Sequence, residues 1–394
     1  MTIYFVAGEV SADNHAAALM RSLRVLDPEL KFIGRGGPQM QQVAGARIKN
    51  WIGDAAVLGL WEVLRKYGYF REQFRETLEE IQESKPDAVV LIDYPGFNLR
   101  LARALRKQSQ SHKTIYYISP QVWAWNRGRI KKMARFIDLV LCIFPFEADL
   151  YAASGLRAVF VGHPMVERLE TQKIDTHRDQ NLVGLFPGSR SREVRKIFPV
   201  MIETARRLLQ LNPTLRFQVA AASKELAREL SEMLRADQLA DRETIEIAIG
   251  QTAAIMQRVF VGIVASGSAT LEAAYFGMPF VLIYKVAWPT YVAARLVVNV
   301  DFLGMPNLLA GKEVVPEFIQ HEAKPDAIVA AVRLLMEDSP ARDRMISDFE
   351  TTTIKLGGTG ASERAAQAIL EELKEGRPPH RPDGLETASP STTR

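Results

Sequence analysis

Short, largely apolar runs recur along the chain, each ending in a turn of small or polar residues and each followed by a stretch with helical spacing. Residues 3–7, 88–92, 114–118 and 139–144 are such runs in the first half, and 182–186, 216–221, 244–248, 261–264 and 280–283 in the second. Runs of this length, bounded by turn signals, fit strands buried on both faces of a parallel sheet. Their alternation with helical patterns predicts doubly wound α/β domains, and their two groups predict two such domains.

The polar residues between the groups set the boundaries. Residues 166–181 are mixed in charge and lack apolar periodicity, so they read as a linker between a first domain over 1–165 and a second over 182–358. Helices are expected over 16–26, 99–106, 289–298, 325–336 and 342–354, and a loop over 303–312. A last helix over 359–375 either packs on the second domain or crosses to the first. The tail 376–394, rich in Pro, Ser, Thr and Arg, is expected to be disordered. A length of 394 residues agrees with two domains.

In open α/β sheets, ligands bind beyond the carboxyl ends of the strands, so the residues there carry the candidate chemistry. The run 182–186 ends in Pro187-Gly188-Ser189-Arg190-Ser191 and opens a helix with its stripe at Ile197, Val200, Met201, Ala205 and Leu208. The unpaired N–H groups of such a helix start attract phosphate, Gly188 permits close approach, and Arg190 adds a planar donor fork. A second turn, Ser266-Gly267-Ser268-Ala269-Thr270, follows the run 261–264, and Glu272 one turn on can accept hydrogen bonds from a ribose diol. Each turn alone also fits an ordinary βα connection. Two on one sheet point to a nucleotide diphosphate.

In the first domain, Gly8-Glu9-Val10-Ser11 forms a glycine-containing turn whose acid suits sugar hydroxyls better than phosphate. Asp93 ends a fully apolar run and is either a proton acceptor or a turn and cap residue. Ser119, Trp123 and Arg127 lie together in a compact aromatic and basic group that fits a pocket for an anionic, partly apolar ligand. The glycines of residues 34–37 build a tight turn, next to a ligand or a neighbouring loop. Over 57–78, Trp61, Tyr67 and Phe70 are interleaved with Arg65, Lys66, Arg71 and Arg75. That pattern fits either an acyl or membrane contact or a buried amphipathic helix with a solvated basic face.

Composition narrows the classes. With 47% hydrophobic and 24% charged residues and a formal charge of +4, the chain is only mildly basic, which falls short of a nucleic-acid signature. The single cysteine, Cys142, excludes an intrachain disulfide and suits a reducing compartment. Neither a secretory signal nor an apolar run of spanning length is present, so a cytoplasmic protein with peripheral membrane contact is expected. The chain has no Asp-x-Asp and its six histidines are scattered, so neither a metal nor another cofactor is indicated. No Gly-x-Gly-x-x-Gly follows the first strand, which disfavours a dehydrogenase.

Several longer motifs run in order from residue 3 to about residue 320. They include Ala7-Gly8-Glu9-x-Ser11-x-Asp13, Gly36-Gly37-Pro38-x-Met40, Ile92-Asp93-x-Pro95-x-Phe97-Asn98 and Ser119-Pro120-x-Val122-Trp123-Ala124-Trp125. Pro145-Phe146-Glu147, Gly162-His163-Pro164, Pro187-Gly188-Ser189-Arg190, Ala265-Ser266-Gly267-x-Ala269-Thr270-Leu271-Glu272 and Leu303-x-x-Pro306-Asn307-Leu308-Leu309-Ala310-Gly311 continue them. Together they resemble the lipid-A-disaccharide synthases, GT-B glycosyltransferases of lipopolysaccharide biosynthesis. Ala12 stands where that family usually has glycine, and Gly96 where it often has an acid.

The resemblance implies a GT-B fold, two Rossmann-like domains facing across a cleft, and metal-independent transfer from a UDP-sugar. It implies UDP-2,3-diacylglucosamine as donor and 2,3-diacylglucosamine 1-phosphate at the inner-leaflet surface as acceptor. Asp93 would be the base, Arg190 and the two helix starts would receive the departing UDP, and Asn307 would contact nucleotide or sugar. Trp61, Tyr67 and Phe70 would then meet acyl chains or membrane. Rival readings are a peptidoglycan glycosyltransferase, a UDP-sugar epimerase, or a nucleotide-sugar-binding protein without turnover; the oligomeric state stays open.

Overall fold

The structure, a computed structural model, describes residues 1–55, 67–108, 112–121, 128–237, 244–288, 291, 300–337 and 339–375. It contains two parallel sheets. The first has seven strands, β1 (Thr2–Ala7), β2 (Lys31–Gly36), β3 (Ile48–Asn50), β4 (Ala88–Ile92), β5 (Lys113–Tyr117), β6 (Leu139–Cys142) and β7 (Ala158–Phe160), in the order 3-2-1-4-5-6-7. The second has six, β8 (Asp179–Phe186), β9 (Arg216–Ala221), β10 (Ile245–Ile249), β11 (Val259–Ala265), β12 (Phe280–Tyr284) and β13 (Glu317–Ile319), in the order 10-9-8-11-12-13. Both orders reverse beside the first strand of the sheet, which is the doubly wound pattern.

By contacts the chain forms two compact units. One comprises Met1–Tyr117, Phe136–Leu139 and the chain from Ala365, the other Ile118–Arg135 and Val140–Arg364. In the first unit, every residue of β4 is fully buried, as its unbroken apolar run requires. Arg35 on β2, 1% exposed, is neutralised by Glu76 and Glu80 of the helix Tyr67–Ser84, at 2.9 and 2.5 Å. That pairing fixes the helix on the sheet and holds Phe74 against Phe97, ring centres 5.6 Å apart. The last helix, Ala361–Lys374, contributes Glu372 to a buried pair with Lys113 of β5, Nζ to Oε1 2.6 Å.

In the second unit, Val183 and Leu185 of β8, Ile263 of β11 and Ile283 of β12 pack against Ile197, Phe198, Met201 and Ala205 of the helix Ser191–Leu211. The expected stripe is therefore the face that this helix buries.

Several local expectations change. Helix Val10–Leu26 begins six residues before the expected 16–26 helix, at the turn itself. The residues read as linker contain a helix, Met165–Thr171, which buries Met165, Val166 and Leu169. Two turns are too short for a polar sequence to show a helical period. The loop expected over 303–312 holds a short helix, Met305–Ala310, started by Pro306 and ended by Gly311 at φ 70°. Most of the helix expected over 289–298 and the tail 376–394 lie outside the described residues.

The glycines of 34–37 face protein. Asp13, 2% exposed, accepts the N–H groups of Gly37, Gln39 and Met40 at 2.9, 2.9 and 3.0 Å, and so caps the helix Pro38–Ala44. A Cβ on Gly37 would lie 2.5 Å from that carboxylate.

Candidate functional site

Neighbouring parallel strands bring their carboxyl ends, and the turns beyond them, side by side. In the first unit, Ala7 at the end of β1 is in register with Ile92 at the end of β4. Gly8-Glu9 and Asp93-Tyr94 are therefore adjacent, and Glu9 raises the proton affinity of Asp93. In the second unit, Phe186 at the end of β8 is in register with Val264 of β11. That register sets residues 187–190 beside residues 266–270.

Asp93 is half-buried and held in the left-handed region at φ 46°, followed by Tyr94 at φ 50°. Burial is the larger cause, and the Glu9 charge the smaller, that push its carboxyl up to about 6, against an opposing hydrogen bond from the backbone of Tyr94. A carboxylate in that range is a stronger base than an ordinary aspartate and is still ionised at neutral pH. Gly8 is buried against the Tyr94 ring, while Glu9 and Ser11 are exposed at the start of the helix Val10–Leu26. The Tyr94 ring sits beside Trp51 and Phe97, with ring centres at 6.2 and 6.3 Å.

In the second unit, Gly188 at φ 103° and Gly267 at φ 149° take conformations that residues with side chains rarely adopt. Ser189 and Arg190 are exposed at the start of the helix Ser191–Leu211. Arg190 makes a 3.2 Å contact to Glu193, one turn into that helix; burial and then the Glu193 charge raise the proton affinity of Tyr284 at the end of β12, against the Arg190 charge. Gly267 precedes the helix Ser268–Tyr275, and the hydroxyl of Thr270 closes the turn onto the Gly267 carbonyl at 2.7 Å. Ser266 donates its own N–H to Ile283 at 3.0 Å, within the sheet. This arrangement offers helix-start N–H groups, small hydroxyls and one exposed guanidinium, a donor set suited to a diphosphate.

Three of the residues expected at the ligand are buried or already bonded to protein groups. Asn307 is fully buried, and its side chain donates to Val315 and Glu317 and accepts from the N–H groups of Val314 and Val315, all within 2.9 Å. These four bonds to the loop occupy both amide hydrogens and both lone pairs of its oxygen. Ser119 is 4% exposed, beside Cys142 and Tyr151. Glu272 is bound by Arg168 of the helix Met165–Thr171, at 2.8 Å, so a ribose would have to share that carboxylate. Trp61, Trp123 and Arg127 lie outside the described residues, as does the side chain of Tyr67. Phe70 is half-buried and edge-on to Tyr69 at 5.6 Å.

Asp13, Tyr94, Asn98, Tyr116, Arg168 and Tyr284 were not among the expected site residues. Asp13 and Asn98 were in the quoted motifs, but nothing in the letters separates a buried cap from a ligand contact. Tyr116 reads only as part of an apolar strand.

Residues 3–372 match the family described as lipid-A-disaccharide synthetase. The chain is 38% identical over 381 residues to a lipid-A-disaccharide synthase of Geobacter sulfurreducens, covering 94% of this chain and 97% of the relative. It is 36% identical over 383 residues to that of Myxococcus xanthus, covering 95% and 98%. Among solved structures, a putative UDP-N-acetylglucosamine 2-epimerase of Listeria monocytogenes superposes with a TM-score of 0.63 at 12% identity, covering 96% of this chain and 98% of the other. The calicheamicin glycosyltransferase CalG4 gives 0.56 at 14% identity, covering 96% and 99%. These two likenesses carry the fold, which is GT-B, and the sequence relatives carry the family: the chain belongs to the lipid-A-disaccharide synthases, which are glycosyltransferases.

Proposed function

We propose that the chain moves 2,3-diacylglucosamine from UDP-2,3-diacylglucosamine to the 6-hydroxyl of 2,3-diacylglucosamine 1-phosphate. The products are the β(1→6) disaccharide 1-phosphate and UDP. The observation that carries this reading is Asp93, a carboxyl raised to about 6 at a strand end, in a chain of this family. The acceptor oxygen attacks the anomeric carbon as its proton passes to Asp93. The bond to the diphosphate breaks with its electron pair going to UDP, which inverts the anomeric configuration. Gly188, Ser189 and Arg190, with Ser266, Gly267, Ser268 and Thr270, receive the growing negative charge.

Glu272 holds the ribose in concert with Arg168, and Asn307 serves the nucleotide side by ordering its loop. Gly8, Glu9 and Ser11, with Trp123 and Arg127, face the acceptor sugar. On this reading residues 1–165 bind the acceptor and 182–358 the UDP-sugar. The last helix belongs with the first domain, a grouping that the Lys113–Glu372 pair supports. No metal takes part.

A transfer assay in detergent micelles with both lipid substrates and EDTA tests the reaction. Disaccharide formation supports it; UDP release with a 2-epimer, or no product, sinks it. Arg190→Ala should weaken UDP binding about ten- to a hundredfold, the worth of hydrogen bonds to a charged group. Arg190→Lys should recover only part, because an ammonium lacks the fork. Calorimetry with UDP checks both, and wild-type affinity in the alanine variant would remove Arg190 from the site.

Both substrates carry acyl chains, so we read Trp61, Tyr67 and Phe70 as an acyl or membrane contact and the protein as cytoplasmic and peripheral. The interleaved basic residues support this. Among the described residues, no helix is long and apolar enough to cross a membrane. Serine at all three positions should reduce co-flotation with anionic vesicles while UDP affinity stays unchanged; undiminished flotation would refute the contact.

A further inference from the structure

Two consecutive residues with side chains, Asp93 and Tyr94, stand in the left-handed region at φ 46° and φ 50°. Such a pair persists only where its surroundings over-determine it. Here the Asp93 peptide is held at both ends. Its N–H donates to Tyr117 of β5 at 3.0 Å. Its carbonyl accepts the Asn98 Nδ2 at 2.8 Å and the hydroxyl of Tyr116, the neighbouring residue on β5.

Asn98 stands in the first turn of the helix Pro95–Lys107, and both it and Tyr116 are fully buried. The same Nδ2 also donates to the Ile92 carbonyl at 3.2 Å. One amide nitrogen therefore spans the last residue of β4 and the first left-handed residue after it. The reverse amide orientation would set an oxygen against two carbonyls, so the donor assignment is fixed by its neighbours.

We propose that Asn98 and Tyr116 are positioning residues for the transfer reaction, which by clamping the Asp93 carbonyl hold the turn that aims the Asp93 carboxyl at the acceptor hydroxyl. This rests on the reading of Asp93 as the base. Both side chains act here on the carbonyl of Asp93. The charged group that acts on the carboxyl is Glu9, ahead of the helix Val10–Leu26, and the Tyr94 backbone supplies the opposing hydrogen bond. Loosening the carbonyl clamp lets the carboxyl swing toward water, away from both.

Near-isosteric variants test this without opening the core. Tyr116→Phe removes only the hydroxyl, and Asn98→Asp replaces the bridging donor by an acceptor. Steady-state transfer, the acid limb of the kcat/KM profile and UDP affinity are measured for each, with Asp93→Asn alongside. Tyr116→Phe is expected to lower kcat about tenfold, leave UDP affinity and donor KM within about twofold, and move the acid limb below its wild-type position. Asn98→Asp is expected to lower kcat further, because its fully buried carboxyl replaces an amide that bridged two carbonyls.

An active Asp93→Asn variant would overturn the base and the positioning together. An inactive one, with wild-type kcat and acid limb in both other variants, would overturn the positioning alone. So would parallel losses of kcat and UDP affinity with an unmoved limb, the mark of general loosening.

Discussion

Asp93→Asn should cut transfer at least about a hundredfold and, at pH 8, raise the thermal unfolding midpoint. Asparagine keeps the shape of the side chain and is among the residues most tolerant of left-handed backbone, so the turn at φ 46° survives the exchange. What is lost is the ability to take a proton. The stability gain follows from the same carboxyl. Its value rises from 3.8 to about 6 on folding, so the folded chain binds that proton more tightly than the unfolded chain does.

The resulting stabilisation is fully present below about pH 4 and is lost as pH rises through about 6. At pH 8 the ionised group opposes folding, by at most about 3 kcal/mol and by less to the extent that water reaches a half-buried side chain. The asparagine variant escapes that cost, and its advantage should shrink as pH falls toward 4. Unfolding curves at both pH values decide the matter: equal midpoints at pH 8 would mean that Asp93 is an ordinary solvated acid.

Gly8→Ala should separate the two halves of the reaction. Its new Cβ would lie 2.5 Å from the Tyr94 ring, a distance that real contacts do not reach. That ring cannot step aside freely. Trp51 and Phe97 flank it at 6.2 and 6.3 Å, and Trp51 is itself tied by its indole N–H to the Ala7 carbonyl at 2.7 Å. The displacement therefore passes into the left-handed pair and moves Asp93. A misplacement of the order of 1 Å costs up to about a hundredfold in rate, so kcat should fall between ten- and a hundredfold. UDP affinity should hold within about twofold, because Gly188, Arg190 and Gly267 belong to the other unit. Kinetics with calorimetry test this, and wild-type kcat would show that the Tyr94 ring does not govern Asp93.

The architecture was legible wherever burial demanded unbroken apolar sequence. β4, with every residue inside, could be read to the residue, and with it the position of Asp93. The three-residue edge strands β3 and β13 could not, because partners rather than composition make them strands. The same limit applies to polar residues. Asp13, Arg35 and Asn307 are written in the letters of surface residues, yet each is at most 2% exposed, and its role is settled by partners on other elements. The turn at Gly188 was easier, since a βα turn is local, and its φ of 103° is one that glycine takes readily. The left-handed turn at Asp93 was not legible, because Tyr116, one of its restraints, lies 23 residues away.

The buried pair between Lys113 and Glu372 links positions 259 residues apart. Because the pair is buried in the folded chain, losing either partner alone would leave the other's charge uncompensated, a cost of about 3–5 kcal/mol. The strand β5, made early, therefore draws part of its stability from the helix made last, and the Asp93 turn, which leans on β5, shares that dependence.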